Sequence, residues 1–123
     1  MIHYDKVAIA TDGSGDATVY SRGFIGLLHG FIYVPGSSMD TGADLTITEE
    51  ATGAALLTVT NAGTSTIVKL PRAPIVDAAN AASLYAAGGE PVEDRYPVVS
   101  RVKCVVAQGG ASKTGSLYVV WED

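Results

Sequence analysis

Little in this sequence is suited to catalysis. It has one cysteine, Cys104, so no disulfide can form within the chain. It has two histidines, His3 and His29, whereas a catalytic zinc takes three protein ligands, commonly with two or more histidines in one cavity. Charge is scarce: Asp, Glu, Lys and Arg make up 17% of the 123 residues, against about a quarter in an ordinary soluble chain. The charge present is mostly negative, with 8 basic against 13 acidic side chains. A nucleic-acid reader needs a basic excess to displace counterions from phosphate, so nucleic acid is not an expected partner. Aromatic residues reach only 7%, and their spacing offers no platform for stacked bases. Long apolar runs are also missing. The longest, residues 23–34, is interrupted by His29 and two glycines and falls short of the ~20 residues a membrane-spanning helix needs. The opening Met1-Ile-His-Tyr-Asp-Lys6 has no basic stretch followed by an apolar one, so no signal peptide is expected and synthesis in a cytoplasm is.

What the chain does have is apolar surface, 47% hydrophobic residues with a mean hydropathy of +0.24. With so little charge, this predicts that neighbouring subunits cover part of the exterior. The length fits one domain, residues 1–123, large enough to bury a core without disulfides or metal.

Apolar and β-branched runs are punctuated by Gly, Pro, Asn, Asp and Ser at intervals of roughly 8 to 12 residues, which predicts an all-β antiparallel sandwich. Expected strands cover residues 6–11, 17–21, 24–34, 44–49, 55–60, 64–70, 101–107 and 116–121. Three connections read as hairpin turns: Asp12-Gly-Ser-Gly-Asp16, Asn61-Ala-Gly63, and the loop 108–115. In the long strand, alternation puts Ile25, Leu27, Phe31 and Tyr33 on one face and Leu28 and Ile32 on the other. Such a strand sits centrally or meets a neighbouring subunit. The exception to the β rhythm is the alanine-rich stretch 75–87, ahead of Gly88-Gly89. With Asp77 as cap it forms a short helix over 77–87, or else an ordered loop, passing over one end of the sheets.

The local motifs yield to plainer readings. Gly109-Gly-Ala-Ser-Lys-Thr114 imitates a phosphate-binding loop, but Ser112 and Ala107 replace the two required glycines and a strand follows where a helix must. Asp12 to Asp16 alternates oxygen ligands like a calcium loop, yet Ala17 and Gly23 replace its obligatory glycine and glutamate. Glu49-Glu50 and Glu93-Asp94 are adjacent on extended chain and point oppositely, so they read as solvating carboxylates. His29 reads as a hydrogen-bonded core or interface imidazole, and Cys104 as a packed small hydrophobe. Trp121 is either a core plug or an anchor in a subunit contact. No catalytic residue, cofactor or metal site is expected, and the chain reads as a protein other than an enzyme.

Several segments taken together resemble one family. They are Tyr20-Ser-Arg-Gly-Phe-Ile-Gly-Leu-Leu28, Thr41-Gly-Ala-Asp-Leu-Thr-Ile-Thr48, Leu70-Pro-Arg72, Leu84-Tyr-Ala-Ala-Gly-Gly89, and Arg101-Val-Lys-Cys-Val-Val-Ala-Gln-Gly-Gly110 with Lys113-Thr-Gly115. Over nearly the whole chain this pattern resembles the small structural proteins encoded among the head genes of tailed bacteriophages. The resemblance implies a virion protein made in the host cytoplasm. It implies a capsid cement or decoration protein with a jelly-roll-like sandwich, bridging subunits of the major capsid protein and pairing with itself as a dimer or trimer. A neck, tail or fibre-attachment protein is the alternative within that class, and a carbohydrate-binding module for host attachment the alternative outside it. Candidate interface residues are Met1, Ile2, Tyr4, Met39, Tyr85, Tyr96 and Trp121, with Arg22, Arg72 and Arg95 as candidates for intersubunit carboxylate pairing.

Overall fold

Strand-forming patterns in the sequence become eleven β-strands and no helix in the computed structural model, which describes residues 1–123. In chain order these are β1 (Ile2–Ala10), β2 (Ala17–Tyr20), β3 (Gly26–Pro35), β4 (Asp44–Glu49), β5 (Ala55–Val59), β6 (Ile67–Lys69), β7 (Ala73–Pro74), β8 (Glu93–Asp94), β9 (Pro97–Val98), β10 (Val102–Ala107) and β11 (Thr114–Glu122). Two antiparallel sheets account for most of them. The β11 sheet runs β1-β11-β3-β6, with β9 taking the part of the β3 edge that β6 leaves free; the β10 sheet runs β2-β10-β4-β5. The fold is therefore an all-β antiparallel sandwich, as the punctuated alternation predicts.

Its core lies between the two sheets. Val7, Ile9, Leu28, Phe31, Tyr33, Leu117, Val119 and Trp121 point inward from the β11 sheet; Leu45, Ile47, Leu56, Val102, Cys104 and Val106 come from the β10 sheet. Each large side chain buried this way contributes roughly 1.5–3 kcal/mol. The Tyr33 hydroxyl, buried with no hydrogen-bond partner, offsets part of that gain.

Connections differ from the expected hairpins. β1 and β2, β5 and β6, and β10 and β11 lie in opposite sheets and do not pair. The turn residues do reverse the chain, but a reversal alone does not say whether the next strand bonds beside the last, as a hairpin would, or crosses to the facing sheet. Gly15, Asn61, Gly63, Gln108, Gly110 and Ser112 all have positive φ, and here they turn corners between layers. The corners lock together at one end. The Thr11 hydroxyl donates to Gly110 O at 2.6 Å and accepts from Lys113 N at 2.7 Å, while Gly109 N donates to Gly15 O at 2.8 Å.

A second departure lies inside β3. On β11, Val120 faces Gly30 and the next residue, Trp121, faces Leu28, so His29 is an extra residue in a bulge. A bulge inverts the parity of everything beyond it. Leu28 therefore joins Phe31 and Tyr33 inside, while Ile25 is 76% exposed and Leu27 and Ile32 face outward. His29 is half-buried and its Nδ1 has no hydrogen-bond partner, contrary to the expected hydrogen-bonded imidazole.

The alanine-rich stretch forms no helix. Residues 73–94 leave the sandwich between β6 and β9 as an arm, clamped at its base by the β7–β8 pair and farther out by bridges at Val76–Ala82 and Leu84–Pro91. Asp77 does cap amides, those of Ala79 at 2.9 Å and Ala81 at 3.0 Å, but the turn it caps contains Asn80 at φ 64°. That left-handed residue stops a right-handed helix at its first turn.

Gly36 abuts the Thr114 backbone so closely that a β-carbon would overlap the Thr114 carbonyl, whereas Gly13 has open space around it. Gly36→Ala is expected to cost about 1–3 kcal/mol in urea unfolding, and Gly13→Ala to stay within about 0.5 kcal/mol of wild type. Equal effects would contradict this packing.

Candidate functional site

Alternation on β11 leaves an apolar side chain on each face. Leu117, Val119 and Trp121 enter the core, and Tyr118 and Val120 stand on the outside of the sheet. The strand register sets their neighbours there. One row crosses Lys6, Tyr118, Ile32 and Val68; the next crosses Tyr4, Val120 and Gly30; a third crosses Ala8, Ser116 and Val34. Ile2, His3, Tyr4, Ile32, Tyr118 and Val120 line a depression of about 340 Å³ on this face. Tyr4 is 66% exposed, with its ring tilted against Tyr118 at 6.1 Å, and Lys6 Nζ lies 5.9 Å from the Tyr118 centroid. An outer sheet face would ordinarily alternate to polar residues, so this one is a candidate contact surface.

The arm is the second such surface. Ile75, Val76, Leu84 and Tyr85 are all exposed on it, Tyr85 at 77%. Its shape is held from within: Ile75 N donates to Val92 O at 2.8 Å, Val92 N to Ser83 O at 2.7 Å, and Ser83 N to Ile75 O at 2.8 Å.

The candidate interface residues divide accordingly. Met1, Ile2 and Tyr4 are exposed at or beside the outer face, and Tyr85 on the arm. Met39 and Trp121 are each only 2% exposed, so both belong to the core and leave the surface set. Trp121 is the core plug of the two roles open to it: Phe24 stacks on it at 4.1 Å, His3 at 5.5 Å, and the Arg22 guanidinium covers its ring at 5.0 Å. Tyr96 is partly buried against the core, and its carbonyl accepts from Leu28 N. The three arginines are engaged within the chain. Arg22 lies on Trp121, Arg72 Nη1 donates to the His29 and Pro71 carbonyls at 2.9 Å, and Arg95 pairs with Glu122 at 3.3 Å and Asp94 at 3.8 Å. Arg72 and Arg95 thus tie parts of the sandwich together, and Arg22 stays exposed over the Trp121 ring.

Sequence reasoning missed Ile32, Val68, Tyr118 and Val120 as one surface. The signal was present in the final strand, where both parities of 117–121 are apolar, but the rows needed the register of β1, β3 and β6.

Other polar groups are committed to structure. Glu49 is not the solvated carboxylate expected from its pairing with Glu50; it is buried, accepting from Thr52 Oγ1 at 3.1 Å and Val99 N at 3.0 Å, and so anchors the β4–β5 turn to the residue that follows β9. Burial pushes the Cys104 thiol up to about 12. Backbone amides of Asp16 and Ser14 hold Asp12 below the usual carboxylate range. Arg101, itself stacked on Tyr20, does the same to Glu50. Asp123 is lowered by His3 and then by the N-terminal ammonium, a clasp that closes the far end of β1 on β11. Comparison with protein-family models, curated proteins and solved structures finds no match.

Because Asp12, Glu50 and Asp123 titrate lower in the folded than in the unfolded chain, each contributes stability above the unfolded carboxylate pKa of about 4 and loses it as pH falls through the folded value. Thermal midpoints are expected to hold from neutral pH to about pH 5 and to fall below about pH 4. Combining Glu50→Gln with Asp123→Asn should flatten that fall; a midpoint that rises on acidification would contradict it.

Proposed function

We propose that this protein is a structural component of a tailed-bacteriophage virion, a capsid cement protein that ties neighbouring subunits of the major capsid protein together. The observation that carries the reading is the apolar outer face of the β11 sheet, joined by the apolar arm, on a chain with few charges to solvate its exterior. Surfaces of this kind need neighbours.

The strand order adds support. With β7, β8 and β9 set aside as an insertion, β1-β11-β3-β6 over β2-β10-β4-β5 is the order we read as a jelly roll, an eight-stranded architecture used by viral capsid and lectin domains among others. That is an argument from fold analogy. It agrees with the segment resemblance to phage head-gene proteins and is independent of it. A cement protein acts by multivalency: each copy touching two or more capsid subunits makes separation of one pair depend on breaking several contacts, so each contact need only be modest.

Quantitative mass spectrometry of purified particles tests the reading. Hundreds of copies per particle, at a fixed small-integer ratio to the major capsid protein, are expected. Absence from particles overturns the proposal, and a copy number in the tens moves the protein to a neck, tail or fibre-attachment position.

A further inference from the structure

The two uncovered apolar surfaces differ in charge. Residues 73–94 contain Asp77, Glu90, Glu93 and Asp94 and no Lys or Arg; Asp94 pairs with Arg95 and Asp77 accepts from the Ala79 and Ala81 amides, which leaves Glu90 and Glu93 without a partner. The outer face of the β11 sheet presents Lys6 in its central row, over Tyr118. The carboxylates at its rim are already paired, Glu122 with Arg95, and Asp123 with His3 and the N-terminal ammonium. One surface is thus apolar with unpaired carboxylates, the other apolar with one exposed lysine, Lys6, and every copy of the chain carries both.

We infer that the arm of one copy seats on the outer face of the β11 sheet of a second copy, with Leu84 and Tyr85 against Tyr4, Tyr118 and Val68, and Glu90 and Glu93 toward Lys6. The arm's own backbone hydrogen bonds hold its shape, and Tyr85 is mostly exposed in the single chain. It meets an outer face when a neighbour supplies one. At about twenty residues, the arm matches one side of a standard stable interface, roughly 20–30 residues. Because the two patches differ, the contact is head to tail, and it closes into a ring when the rotation between copies permits. This inference concerns the isolated chain and stands or falls without any capsid.

The test uses the full-length protein in solution, by native mass spectrometry and light scattering over a concentration series. Two variants carry paired substitutions at exposed sites: Leu84→Asp with Tyr85→Asp on the arm, and Tyr4→Asp with Val68→Asp on the face. Circular dichroism confirms that each is folded. Wild type is expected to assemble with rising concentration while each variant alone stays monomeric. Mixed in equal amounts, the two variants are expected to form a dimer and stop there, since one partner keeps an intact face and the other an intact arm. Lys6→Glu should raise the dissociation constant roughly tenfold. A wild-type protein that remains monomeric at its highest soluble concentration overturns the inference. So does an arm variant that assembles like wild type, or a mixture that remains monomeric. An unchanged constant for Lys6→Glu overturns the charge assignment.

Discussion

Strand β11 is apolar on both faces, and a β-strand with two apolar faces requires two covers. The first is the facing sheet: Leu117, Val119 and Trp121 meet Leu45, Ile47, Val102, Cys104 and Val106 across the core. β11 also holds its own sheet together, lying between β1 and β3 over nearly its whole length. The last strand of the chain is therefore the one on which the first and third both depend. Loop-closure entropy for these long-range pairings is repaid late in folding, as in other β-sandwiches.

The second cover is not supplied by the chain itself. Tyr118 and Val120, with Tyr4, Ile32 and Val68 beside them, remain outside, and the arm, its shape fixed by its own hydrogen bonds, adds a further apolar surface. The aromatic stack on Trp121 is closed within the sandwich beneath Arg22, and the apolar side chains left outside include one sheet face and one arm, besides Ile25 and Val99. This distribution accounts for the low charge of the sequence: the residues that would otherwise be Lys or Glu on an outer face are Tyr, Val and Ile.

Much of the sandwich was legible in the sequence because alternation is local. The strands at 44–49 and 101–107 needed only their own residues to declare them, and the buried Cys104 followed from Val102 and Val106 on either side. What was not legible is what depends on a distant strand. Asp12 to Asp16, Asn61 to Gly63 and 108–115 each mark a reversal, but the partner that receives the next strand lies elsewhere in the chain. His29 forms a bulge only with respect to β11, so nothing in 24–34 alone reveals the change of parity that brings Leu28 inside. β1 begins at Ile2, ahead of the expected residue 6, because Glu122 pairs with it. The alanine-rich segment reads as helical by composition, yet it has no apolar stripe to pack on the body, and tertiary packing is what stabilises short helices. For the candidate surface, exposed Tyr4 and Tyr85 were among the residues named, while the rows that make Tyr4 part of a face had to come from the register.

Hydrogen–deuterium exchange, compared at low and high protein concentration, tests most directly whether the outer face and the arm are surfaces that neighbours cover. Backbone amides along residues 75–92 and along the outer edge strands β1 and β6 are expected to gain protection as concentration rises, with the amides of β10 and β4 unchanged. Identical exchange of the arm and of β1 and β6 at both concentrations, in a protein shown by scattering to have assembled, would contradict the account.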